Sequence, residues 1–357
     1  MKHNILKAVL LLLITTLLCG MIVGCAPKEE EPAGAPQKTP VDQPTTETPE
    51  NMPSKTPDET PSENTPEQPE QNKEPEEQEQ TEPEKQEQED ETVEQQQTPK
   101  GLAIEMMSFN IRIISDKDQG VTNWESRKVA LIEYLNKNTA DIICMQEVKT
   151  RQYKEIKAGL DKRFGAVFYA RENGDDPEGL MTIFDQTKYE LKDKGVFWLS
   201  QIPYIMSKGW GANHYRICVT TLLEHKQTKK SVNVFNVHLD HKVEEARAGG
   251  SKLVLKHVQK SKHPALVAGD FNDYAGSECY NILSEEMTDC QFAPITDDGA
   301  TYQAWGATPD DCDTPIDFIF ATDKLVPQTY KICRDKWQKT NFYSDHYAIK
   351  TNLILVD

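Results

Sequence analysis

From residue 103 onward, short apolar runs alternate with stretches of helical periodicity, a pattern that predicts an α/β domain. In the first run Met107, Phe109, Ile111 and Ile113 fall on one face of a strand, and Ser108, Asn110 and Arg112 on the other. Thr122-Asn123-Trp124-Glu125 reads as a capping box opening a helix through about Asn138, with Leu131 and Leu135 on its buried side. The run from Asp141 to Glu147 is apolar enough for a strand buried on both faces, and it ends on a carboxylate.

That device recurs. Val232 to Asp240 alternates so that His238 and Asp240 share a face, and Ala265 to Asn272 is an apolar strand running into Asp270 and Asn272. Ile316 to Phe320 carries Asp317 inside an apolar strand, and a last strand opens with Ser344-Asp345-His346. Polar groups at strand ends are where α/β sheets build sites, since the sheet fixes them and the loops admit substrate. Each has a plainer reading: Asn110 as a structural amide, Glu147 as a turn cap, His238 with Asp240 as a solvated edge pair, Gly269 to Asn272 as an Asx turn. Asp317 resists one, because a buried carboxylate needs a partner. Ser344-Asp345-His346 alone is weak, but the set together, in this order, is not.

Before residue 101 the pattern stops. Residues 26–100 hold 22 acidic and 6 basic side chains, 14 of the 21 prolines and none of the 28 aromatic residues. Such a segment buries too little surface to offset its ordering entropy, so 25–100 is expected to be a disordered acidic stalk. As a flexible coil it would reach about 50 Å. Ahead of it, Lys2 and Lys7 precede the apolar run Ala8 to Leu18, as in a secretory signal. Ile22-Val23-Gly24-Cys25 resembles a bacterial lipobox, which implies a signal peptide over 1–24, a lipid on Cys25 and a protein tethered outside the cell membrane. Residues 101–357 carry 32 basic and 36 acidic side chains, which excludes a strongly basic nucleic-acid-coating domain. Their six cysteines show no zinc-knuckle spacing, and Cys144, inside an apolar run, reads as a buried free thiol.

The ordered set resembles the endonuclease/exonuclease/phosphatase superfamily. It comprises Met107 to Arg112, Asp141 to Val148 with Gln146-Glu147, Asn236 to Asp240, Gly269 to Asn272, Ile316 to Ile319 and Ser344-Asp345-His346. The resemblance spans 103–356 and implies a four-layer α/β sandwich, two mixed β-sheets packed face to face with helices outside. The family includes deoxyribonucleases, abasic-site endonucleases, sphingomyelinases, deadenylases and inositol-phosphate 5-phosphatases. A metal-dependent phosphoester hydrolase, phosphodiesterase before phosphomonoesterase, is therefore expected, with a nucleic acid, a nucleotide or a phospholipid headgroup as substrate and a monomeric catalytic domain. Carried over residue by residue, Glu147 is the principal Mg²⁺ ligand (Mn²⁺ the alternative), with Asn110 and Asp345 near the metal. Asp270 activates water, Asn272 and His346 contact the phosphoryl group, and Asp317 orients His346. His238 is a second catalytic histidine with Glu178 as its acidic partner, and Arg112, Arg216 and Asp240 contact substrate. In one departure, Asp185 stands where a related branch has Tyr.

Two other classes compete. Asn236 to His241 differs by one residue from the His-x-His-x-Asp-His zinc motif of metallo-β-lactamase-like hydrolases, but Asn236 replaces its first ligand. A non-catalytic surface binding module suits a stalk equally well, yet would have no reason to keep this set of ionisable residues.

Overall fold

The computed structural model describes residues 99–307 and 314–357. The proposed signal and lipidation site, Cys25 included, and Cys312 lie outside the described residues. Six strands form a first sheet in the order β11-β12-β1-β2-β4-β3: β1 (Leu102–Asn110), β2 (Ile142–Lys149), β3 (Phe164–Ala170), β4 (Glu178–Asp185), β11 (Leu325–Cys333) and β12 (Ala348–Leu355). The second sheet runs β5-β6-β7-β8-β10-β9: β5 (Tyr189–Trp198), β6 (Ile217–His225), β7 (Ser231–His238), β8 (Ala265–Asp270), β9 (Thr288–Asp289) and β10 (Asp317–Ala321). Each sheet is mixed, with one parallel pair at its centre, β1 with β2 and β7 with β8.

The central strands are apolar on both faces because both faces are covered. Ile104, Met106 and Ile142 of the first sheet meet Val234, Leu266 and Ile319 of the second in the central core. Met107, Phe109 and Ile143 point outward to α1 (Trp124–Lys137) and α2 (Thr150–Gly159). On the far side, Phe235, Val267 and Phe318 meet α3 (Glu244–Val258) and α4 (Glu278–Ser284). The result is helices, sheet, sheet, helices: the four-layer sandwich. Among the described residues five cysteines are free and buried, Cys144 among them, and no helix is long and apolar enough to cross a membrane.

Several boundaries differ from the sequence reading. The N-cap of α1 is Asn123, whose side chain accepts from Ser126 N–H, and Thr122 belongs to the preceding 3₁₀ turn. β1 stops at Asn110, since Arg112 turns left-handed with φ 60°. β2 does not end at Glu147 but bulges there against β4, with Glu147 at φ 59°. β7 ends at His238, and the strand after Ser344-Asp345-His346 begins only at Ala348. Gly269 is required where it stands: a Cβ there would lie 1.9 Å from the Val237 carbonyl oxygen.

Polar residues also bind the sheets together. Asn236 of β7 donates to the carbonyls of Met145 and Met181 in the first sheet and accepts from Gln146 Nε2 at 2.9 Å. The residue that breaks the zinc motif is therefore a buried strut. Asn236→Leu leaves those groups unpaired and is expected to cost about 2–4 kcal/mol, readable by urea unfolding; an unchanged midpoint would contradict the role.

Candidate active site

Strand ends of both sheets open onto one cavity of about 500 Å³. From the first sheet Glu147, in the β2 bulge, lines it, while Asn110 at the end of β1 is buried and reaches Glu147 and Asp270 by hydrogen bonds. The second supplies His238 and Asp270, with Asp317 buried against His346, and the turn before β12 supplies Asp345 and His346. A bulge inserts an unpaired residue and re-aims its side chain, and here it turns Glu147 into the cavity. Its Oε2 accepts from Ile113 N–H at 2.8 Å and its Oε1 from Asn110 Nδ2 at 3.3 Å. Burial alone would raise its carboxyl, but Ile113 N–H, His346 and Arg112 hold it below the usual range.

Asp317 is fully buried and meets His346 Nδ1 at 2.8 Å. Burial opposes a charged ring, but Asp317, with Asp270 and Asp345, outweighs it and raises His346 to about 10. The ring is therefore cationic at neutral pH, and its Nε2 stands 3.9 Å from Asp270 Oδ2. Burial, reinforced by Asp317, pushes the Asp270 carboxyl up to about 7, although His346 and Asn110 act against it. Asn110 Nδ2 donates to Asp270 Oδ2 at 2.9 Å across the two sheets. Asn272, left-handed at φ 52°, donates its N–H to Asp270 Oδ1, which is the Asx turn, and its side-chain amide to Leu239 O.

His238 lies between two carboxylates, Nε2 3.4 Å from Asp270 and Nδ1 3.7 Å from Glu178. Burial, then Arg216 and Arg171, drive it well below the ordinary imidazole range, so the ring is neutral. Glu178 is itself pushed up to about 7 by burial, which Arg171 only partly counters. Its hydrogen-bond partner is Arg171 at 2.7 Å, not His238.

Three expected roles meet a different geometry. Asp240 does not line the cavity; it is 1% exposed and accepts from Lys242 and Val243 N–H, because the chain leaves the sheet after His238. Asn110 accepts from Arg112 N–H with its side-chain oxygen and donates to both Glu147 and Asp270, so it spaces the two carboxylates. Arg112 lines the cavity, but two of its donors are held by Asp118 and its Nη1 faces Asp345 at 3.4 Å. Arg216 lines the cavity wall.

Other contributors were not foreseen. Arg171, His214, His241 and Tyr302 line the cavity, the Tyr302 ring edge-on to His346 at 5.0 Å. Arg127, fully buried on α1, donates to the carbonyls of Ile111, Arg112 and Tyr343 and so ties together the loops bearing Arg112 and His346. A lone arginine in phase with Trp124, Leu131 and Leu135 on the buried face was its available signal.

The donor set fits a hard divalent cation. Ligand atoms of Glu147, His238 and Asp270 lie within 4.8 Å of one another, and Asp345 lines the same cavity. Asp270, Asp317 and His346 also converge, but His346 Nδ1 is already committed to Asp317.

A fold of two mixed sheets with this acid, amide and imidazole array defines a phosphoester hydrolase. The profile of the Endonuclease/Exonuclease/phosphatase family matches residues 107–346, and the chain belongs to that family of divalent-metal-dependent enzymes. Among solved structures it is similar to an endonuclease/exonuclease/phosphatase from Bacteroides vulgatus, with 29% identity and a TM-score of 0.66 over 71% of this chain and 99% of the other. The mannosyl-6-phosphatase of Bacteroides thetaiotaomicron VPI-5482 is 25% identical, with a TM-score of 0.66 over 70% of this chain and 99% of that one. A curated relative, the CCR4-Not complex 3'-5'-exoribonuclease subunit Ccr4 of Candida albicans, is 26% identical over 63% of this chain and 37% of its own length. The chain thus spans little more than a third of that relative.

Proposed function

We propose that the chain is a Mg²⁺- or Mn²⁺-dependent phosphodiesterase that acts outside the cell membrane, held there by a lipid on Cys25. The observation that carries the catalytic part is the buried Asp317–His346 pair with its cationic ring 3.9 Å from Asp270, in a cavity that also holds Glu147. A cation held by Glu147, with Asp270 and Asp345 beside it, would neutralise phosphoryl oxygens as a Lewis acid. Asp270 accepts a proton from the attacking water, since burial gives it a basicity suited to neutral pH. His346, kept cationic by Asp317, donates to the phosphoryl oxygen where charge develops. Neutral His238 has a proton to exchange, and Tyr302 lines the cavity beside His346.

Release of nitrophenol from bis(p-nitrophenyl) phosphate in Mg²⁺, lost in Asp270→Ala, is the expected result; no release with any divalent metal would remove the reading. The likeness to a mannosyl-6-phosphatase favours phosphomonoester cleavage as the second reading, and p-nitrophenyl phosphate in the same assay separates the two. The nucleic acid, nucleotide and phospholipid classes remain the substrates to screen. For the location, Cys25→Ser is expected to free the protein from the membrane fraction or leave its signal uncleaved, and unchanged attachment with normal processing would overturn the tether.

A further inference from the structure

The cavity has two ends of different chemistry. At one, Glu147, Asp270 and Asp345 meet His346; the other holds two arginines, Arg171 and Arg216. The polar chain between them runs from Asp270 to His238 Nε2 (3.4 Å), across the ring from Nδ1 to Glu178 (3.7 Å), then to Arg171 Nη1 (2.7 Å). A whole imidazole and a carboxylate therefore separate Arg171 from Asp270.

The arginine end has more donors than acceptors. Arg216 is 6% exposed, and its Nε and Nη1 have no hydrogen-bond partner among the described residues. Asp240 Oδ2 stands 3.9 Å from Nε, beyond hydrogen-bond reach, and Nη2 meets only His241 Nδ1, at 3.4 Å. Arg171 gives Nη1 to Glu178, while its Nε has no hydrogen bond among the described residues, the Glu172 carboxylate standing 3.7 Å away. A buried guanidinium without full pairing is costly and is retained where something else completes it. The positive field also reaches the surrounding imidazoles. Burial first and arginine next hold His214 and His241 below their ordinary range.

We infer that Arg171 and Arg216 form a second anion subsite, which takes a non-scissile phosphate or carboxylate of a substrate whose phosphoester lies at the Asp270–His346 end. A guanidinium fork suits either group. The inference rests on the hydrolase reading and narrows it to substrates with two anionic groups, and a cavity of about 500 Å³ suits a small metabolite.

Three hexose probes test it by calorimetric binding to the full chain carrying Asp270→Asn, in Mg²⁺: glucose 6-phosphate, glucose 1,6-bisphosphate and 6-phosphogluconate. The expected result is that at least one doubly anionic probe binds about tenfold or more tightly than glucose 6-phosphate. A gain confined to the bisphosphate identifies a phosphate subsite, and one confined to 6-phosphogluconate a carboxylate subsite. Adding Arg216→Gln should abolish the gain, and Arg216→Lys, which keeps a cation in the wall, should retain part of it. Equal binding of all three probes, or a gain that survives Arg216→Gln, overturns the inference. A gain in binding with no phosphoester hydrolysed by the unaltered chain would support the subsite and sink the hydrolase reading alone.

Discussion

Asp317→Asn and His346→Gln are each expected to lower turnover by about 10²–10⁴, and the double variant to be scarcely worse than the poorer single. The reason is that the two side chains act as one group. Asp317 has no exposure and makes its side-chain hydrogen bond to His346 Nδ1, while His346 depends on Asp317 for its charge. Removing either leaves a neutral or misdirected ring where negative charge gathers, so the second removal has little left to destroy. Losses that multiply would show that the two contribute separately. A second readout comes from stability. His346 is raised to about 10 from an ordinary 6.5, so the folded chain holds its proton more tightly than the unfolded one. The pairing therefore stabilises fully below about pH 6.5 and fades as pH rises through about 10. Urea unfolding should show a larger cost of Asp317→Asn at pH 6 than at pH 10, and a pH-independent cost would count against the ion pair.

Glu147→Ala should fail differently. The carboxylate touches Ile113 N–H and Asn110 but no other catalytic group by hydrogen bond, so its loss weakens cation binding and leaves the Asp317–His346 pair intact. Turnover at about 1 mM Mg²⁺ is expected to fall about 10²-fold or more and to recover in part as Mg²⁺ is raised. Asp270→Asn, by contrast, removes the proton acceptor and should not respond to metal. Titrating Mg²⁺ against both variants separates the roles, and an Asp270→Asn enzyme rescued by metal would reassign Asp270 as chiefly a ligand.

The layered fold was legible because strands buried on both faces must be almost wholly apolar, so polar residues at their ends stood out. Asp317 was the clearest case, since a carboxylate in an apolar strand demands a partner, and His346 supplies it. What local pattern could not carry was pairing between distant strands. The bulge at Glu147 exists only through the register of β2 against β4. Alternation put Asp240 on the face of His238, but the chain turns off the sheet after His238 and aims Asp240 at backbone N–H groups instead. Arg171 belongs to no motif; the pairing of β3 with β4 sets it opposite Glu178. Asn236, a near-miss to a metal ligand in the sequence, is a strut between sheets.

Neither sheet owns the reacting centre. Asn110 and Glu147 ride on one, Asp270 and Asp317 on the other, and the Asn110–Asp270 hydrogen bond closes the seam. Catalytic competence is thus a property of the docked pair, acquired only when the two halves of the core consolidate. In a denaturant series, activity should disappear with the same midpoint as global secondary structure, with no earlier, locally melted species. Complementation by separately expressed halves should restore catalysis only when the halves also recover the shared interior. Such cooperativity gives an all-or-none population: each molecule is either wholly active or a substrate for proteases.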